Sequence, residues 1–203
     1  MALLPRASAR TTSSFTVIHA RVCERRFAHA AWVLMLILGI TCLGTNAADN
    51  GAAEAKRQGQ MCADALVQHD YDTFASMLYP KFLQWMGGRN ALIQKLQQSD
   101  QEMASQGITM QSVVMGQVTQ IRRTKVETFA VVPETIEMAT KDGVLRTDSY
   151  LLGISSDDGK AWQFIDGAGI AGLGKDIYIL LPNLPADMKL PQAKHPASTP
   201  KKD

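Results

Sequence analysis

Few side chains in this sequence have both the type and the company that chemistry needs. Beyond residue 47 there is one cysteine, Cys62, and two histidines, His69 and His195. Cys62 has no internal disulfide partner, and no Cys/His spacing suits a metal. The expectation is therefore a buried thiol, no metal and no cofactor. His69 stands at a helix junction beside Asp70 and reads first as a turn residue, second as a general base. Asp166 is the most interesting carboxylate. If Trp162 and Phe164 face the helices, strand alternation puts Asp166 on the same side. Burial there would raise its pKa; the competing role is a cap on the turn at Gly167. Gly169, Gly172 and Gly174 spell Gly-x-x-Gly-x-Gly. With no βαβ context and no closing Lys-Ser/Thr, a flexible connection is expected there, not a nucleotide site. The candidate pocket lining is Tyr71, Tyr79, Trp85, Tyr150, Trp162 and Asp166. Aromatic walls with few polar groups suit a small apolar ligand. The competing reading is that these rings fill the core. No residue is assigned as catalytic.

The elements that must position these residues are legible in outline. Residues 48–57 read as a flexible start. A helix is predicted over 57–69, with Met61, Ala65 and Leu66 on one side. Asp70 can cap a second helix over 71–78, carrying Phe74, Met77 and Leu78, which Pro80 stops. Residues 82–85 read as a short strand, broken by Gly87-Gly88. A third helix over 90–106 buries Leu92, Ile93, Leu96 and Met103, and Gly107 ends it. Val, Thr and Ile then dominate. Strands are predicted at 108–121, 125–139, 144–155 and 161–167. Pro133 marks an edge or bulge, because proline lacks the ladder N–H. Turns are expected at Lys141-Asp142-Gly143 and Ser156-Asp157-Asp158-Gly159-Lys160. Three helices followed by four antiparallel strands is an α+β plan. The tail at 182–203 is rich in Pro and Lys and reads as disordered.

The start of the chain speaks to location. Residues 30–44 are almost wholly apolar, preceded by Arg21, Arg25 and Arg26 and followed by Thr45-Asn46-Ala47. Fifteen residues fall short of the roughly 20 that a membrane-spanning helix needs. A basic flank, a short apolar core and a small-residue exit form an export signal, with cleavage expected after Ala47 or Ala48. An uncleaved anchor, a buried helix, a lipidated Cys42 and a mitochondrial transit peptide are the rival readings. The leader is long for a signal, so synthesis starting near Val17 is a further expectation. Signal at 1–47 places the mature chain in the periplasm or outside the cell, with membrane contact only during export. The whole chain has 21 basic and 19 acidic residues. Removing five arginines and Glu24 with the leader leaves 16 and 18, a formal −2. Only Arg122-Arg123-Lys125 is then a basic cluster, too small for nucleic acid.

Asp64-Ala65-Leu66, then Asp70, Phe74, Leu78 and Gly88-Arg89-Asn90-Ala91-Leu92-Ile93, resemble the nuclear transport factor 2-like superfamily, which includes polyketide cyclase-like and ketosteroid isomerase-like domains. Gly159-Lys160-Ala161-Trp162-Gln163-Phe164 is similar to its closing strand, and the likeness runs from Gln58 to Gly167 within a domain at 58–181. The resemblance implies three N-terminal helices packed on a curved antiparallel sheet of four to five strands, a cone-shaped half-barrel around a pocket. The isomerase members' tyrosine and aspartate would fall near Cys62 and near Gln84 or Trp85, which do not match. The dehydratase-like members' histidines have only His69 to match in the core. The expectation is an exported, non-catalytic domain that binds a small apolar ligand or a partner protein, with no nucleic-acid partner; a separate reading is an interaction module that forms a homodimer through the outer face of the sheet. The alternative is an isomerase, dehydratase or cyclase acting on a small hydrophobic substrate, with Asp166 or His69 as base.

Overall fold

A computed structural model describes residues 47–192 and 197–198. The apolar run at 30–44 lies outside the described residues. Among the described residues, no helix is long and apolar enough to cross a membrane.

Among the described residues four helices precede the sheet, where the sequence suggests three. Helix α1 spans Ala47–Val67 and so begins ten residues before the expected position 57. The Ala-rich stretch that reads as a flexible start has high helix propensity, and Ala55 packs fully buried. Helix α2 is Tyr71–Met77; the Asp70 carboxylate caps it by accepting the Thr73 N–H at 3.1 Å. Helix α3 is Pro80–Trp85 and replaces the expected strand at 82–85. Pro80 sits at its first turn, where a missing N–H costs nothing, so this proline starts a helix as well as ending one. Helix α4 is Arg89–Ser105, entered through Gly88 and left through Gly107, whose φ of +73° is a left-handed exit that favours glycine.

The sheet is antiparallel and curls into a half-barrel. Strands β1 (Thr109–Met115) and β2 (Gln120–Arg123) both pair with β3 (Thr128–Thr140). Strand β3 pairs with β4 (Gly143–Ser155), and β4 with β5 (Gln163–Asp166). A two-residue strand β6, Ala197–Ser198, adds to β4. The single strand expected over 108–121 is thus two. Their break explains Pro133, which lies mid-sheet and not at an edge. Met115 is opposite Glu134 and Gln120 opposite Val131, so Pro133 faces the gap between β1 and β2. Its carbonyl accepts the Gly116 N–H at 2.7 Å, and its absent N–H falls where no ladder partner is needed.

Helices cover the concave face of the sheet, and the segment after β5 covers part of the convex face. On the concave face, Val113, Met115, Ala130, Val132, Leu151 and Phe164 pack against α1, α2 and α4. Two glutamines fasten α1 across the curled sheet. Gln60 accepts from the Met115 N–H at 2.9 Å and donates to the Val113 carbonyl at 2.8 Å. Gln58 accepts from the Trp162 N–H and donates to the Lys160 carbonyl, both at 2.8 Å. These bonds pair strand-edge groups that would otherwise be orphaned. On the convex face, Phe129, Val131, Leu152, Ile154 and Ile165 are covered by the segment after β5. That segment is α5 (Gly167–Leu173), a 3₁₀ turn, α6 (Ile177–Leu180) and an irregular stretch. The glycine-rich connection is therefore helical, and residues 182–192 are not a loose tail: Leu184 and Met188 are buried. Gln120 bonds both backbone groups of Lys189.

Candidate functional site

Pleat and register bring four residues of three strands to one patch of the concave face. Glu134 of β3 stands opposite Ser149 of β4, and Leu151 opposite Asp166 of β5. Facing partners in an antiparallel ladder share a side, and so do residues two apart. Above this patch lie Cys62, Ala63 and Leu66 of α1 and Phe74 of α2, with Met110, Val113 and Ile136 closing the side. Together with Ala168 they line a partly open cavity of about 190 Å³. An apolar cavity of roughly 150 Å³ already accommodates a benzene-sized molecule. A groove of about 460 Å³, framed by α2, α3, α4 and α5, shares Leu66, Phe74, Asp166 and Ala168 with the cavity.

The cavity holds two carboxyl groups among apolar walls. Burial pushes Glu134 up to about 7; a hydrogen bond from Ser149 opposes this, and the Asp166 charge adds to it. Burial also raises Asp166, against the backbone N–H groups of Gly169 and Ala168. Asp166 is the N-cap of α5 and accepts the Gly169 N–H, so its cavity position and its capping role coexist. Burial, with the Glu134 and Asp166 charges, pushes the Cys62 thiol up to about 12. Cys62 is thus a protonated wall residue and no nucleophile at neutral pH. A carboxyl near 7 inside an apolar cavity can hold or release a proton, or pair with a cation.

Of the six residues proposed from sequence, the cavity includes Asp166 alone. Trp85 lies on the neighbouring groove, 48% exposed and stacked on Phe82 at 5.8 Å. Tyr150 points to the convex side, because Leu151 takes the concave position and alternation sends its neighbour outward. Tyr79 joins the same convex core, its hydroxyl 3.5 Å from Glu127. Trp162 faces the helices as expected but acts as core: its indole N–H donates to the Gly159 carbonyl at 2.9 Å. Tyr71 is buried at the helix junction, its hydroxyl 2.7 Å from His69 Nδ1. His69 adopts φ +58° there, also reaches Asp100 at 2.7 Å, and does not line the cavity.

Glu134 is the site residue that sequence reasoning missed. Its signal is present: Ala130, Val132, Ile136 and Met138 alternate as one apolar face, and Glu134 is the charged residue within it. Among the described residues no group of three or more His, Cys, Asp or Glu side chains could hold a metal ion. No protein family, curated protein or solved structure matches this chain.

Proposed function

We propose that this chain is an exported domain of the nuclear transport factor 2-like kind whose concave cavity binds a small, mostly apolar molecule. The observation that supports this is the partly open space of about 190 Å³ between α1, α2 and the sheet, where a packed core would leave little room. A wall of Ala63, Leu66, Phe74, Val113 and Leu151 supplies binding by apolar burial, and the carboxyl pair orients one polar group. The binding test is an NMR titration with toluene. Saturable shifts confined to the lining residues, lost on Ala168→Trp at the cavity edge, are expected. Unchanged spectra at millimolar toluene would contradict the reading.

A second reading, the enzymatic one, is favoured by the placement of Glu134 beside Asp166. Glu134 as a carboxylate takes a proton from an activated carbon, and Asp166, in the fraction that carries a proton, donates a hydrogen bond to the developing oxyanion. His69 has no part in this version. Any turnover found for a small ketone should vanish in Glu134→Gln and fall in Asp166→Asn; turnover unchanged in both would remove this reading. The homodimer is proposed only through the uncovered half of the convex face, which carries Val114 and Val144 with the Arg146–Glu137 ion pair. A monomer in sedimentation at high micromolar concentration would exclude it.

A further inference from the structure

The cavity and the groove adjoin, sharing Leu66, Phe74, Asp166 and Ala168, and they differ in chemistry. The cavity carries Glu134 and Asp166, and the lining residues include no Lys, Arg or His to neutralise them. Described arginines nearby in sequence are paired elsewhere: Arg57 with Glu54, Arg89 with Asp72 and Arg146 with Glu137. The groove is walled by Leu78, Phe82, Trp85, Met86 and Leu92. Trp85 keeps half its surface exposed there despite its size, held flat by the ring of Phe82. The groove's cation, Lys95, stands on α4 with its ammonium 3.4 Å from the Met86 carbonyl. Asp166 and Ala168 line both compartments, so the carboxyl end and the apolar groove meet at the start of α5.

We propose that the ligand is a cationic amphiphile, its ammonium group seated between Glu134 and Asp166 and its apolar chain running out along the groove to Trp85. This rests on the ligand-binding reading of the cavity and adds the ligand's charge and length. An ammonium donates up to three hydrogen bonds and replaces the counter-charge that the walls lack. An anionic amphiphile would have to bring its head to Lys95 at the groove and leave its chain against two carboxyls. A neutral alcohol of the same length gains the apolar contacts but not the ion pair.

The test is calorimetric titration of the full protein at pH 8 with butylammonium, octylammonium, octanol and octanoate, all below their aggregation limits. Octylammonium should bind, octanol more weakly and octanoate least. Affinity should rise roughly fourfold for each methylene between the two amines, the gain expected for burying a CH₂. Glu134→Gln should weaken octylammonium at least tenfold and octanol by far less. Asp166→Asn, which keeps a capping side chain, serves as the second variant and should act in the same direction. Trp85→Ala should reduce the octyl-over-butyl gain while leaving butylammonium nearly unaffected. Equal binding of octanol and octylammonium would overturn the charged head and leave the apolar cavity standing. Octanoate binding best would overturn the orientation. Binding of none of the four would overturn both this proposal and the ligand-binding reading beneath it.

Discussion

Glu134→Gln should change how stability depends on pH, and the direction is set by the cavity. The folded chain holds the Glu134 proton up to about 7, whereas an exposed glutamate releases it near 4.5. Between those values the native state binds more protons than the unfolded state, so stability falls as pH rises. Below about 4.5 both states are protonated and Glu134 costs nothing; above about 7 both are ionised and the full penalty applies. At about 1.36 kcal/mol per pH decade, the penalty is about 3 kcal/mol. Glutamine fills nearly the same volume and still accepts the Ser149 hydrogen bond, so it removes the charge without opening the cavity further. Urea unfolding followed by far-ultraviolet circular dichroism from pH 4 to pH 9 reads the effect. The wild type should lose about 3 kcal/mol more than the variant over that interval. The sign is the informative part: a carboxylate stabilised by an ion pair would show stability rising with pH. Parallel curves for the two proteins would refute the placement of Glu134 inside the cavity. Asp166 contributes a slope of the same sign to both proteins, which the comparison largely removes.

Other perturbations test the walls and the fastenings of the curled sheet. A Cβ at Gly169 would sit 2.5 Å from Phe82 Cζ, so Gly169→Ala should cost about 1–3 kcal/mol by overpacking, measured by urea unfolding. Gln60→Ala strips the partners from the Met115 N–H and the Val113 carbonyl and should cost about 1–3 kcal/mol in the same assay. Cys62 should resist iodoacetamide at pH 8 in the folded protein and react within minutes in urea, followed by mass spectrometry. Rapid labelling of the native chain would mean that the cavity is open to reagents. Asp70→Ala should cost about 1 kcal/mol through the lost cap on α2 and leave ligand binding unchanged.

The sequence carried the order of elements because caps, turns and alternation are local. Asp70, Gly107 and the Lys141-Asp142-Gly143 turn all act within a few residues, and each does what its type suggests. Residues 82–85 are ambiguous for a physical reason: a short run of four residues, three of them apolar, fits one helical turn as well as a strand. Pro133 misled because its tolerance depends on a gap between two other strands, which no local pattern reveals. The candidate site depended on register. One step of pairing decides whether Tyr150 or Leu151 faces the helices, and aromatic content favoured the wrong choice. The convex cover was hidden for a similar reason. Leu184 and Met188 are too few and too spaced to announce a packed segment, yet each finds a place on a face already apolar.

Ligand occupancy of the space between α1, α2 and the sheet is tested most directly by native mass spectrometry. The protein is purified from its native source, with Ala168→Trp prepared in parallel. The wild type should retain a small organic molecule that gentle collisional activation releases, and the variant should travel as bare polypeptide. A wild-type mass equal to that of the bare chain, from gentle conditions upward, would contradict a ligand site there.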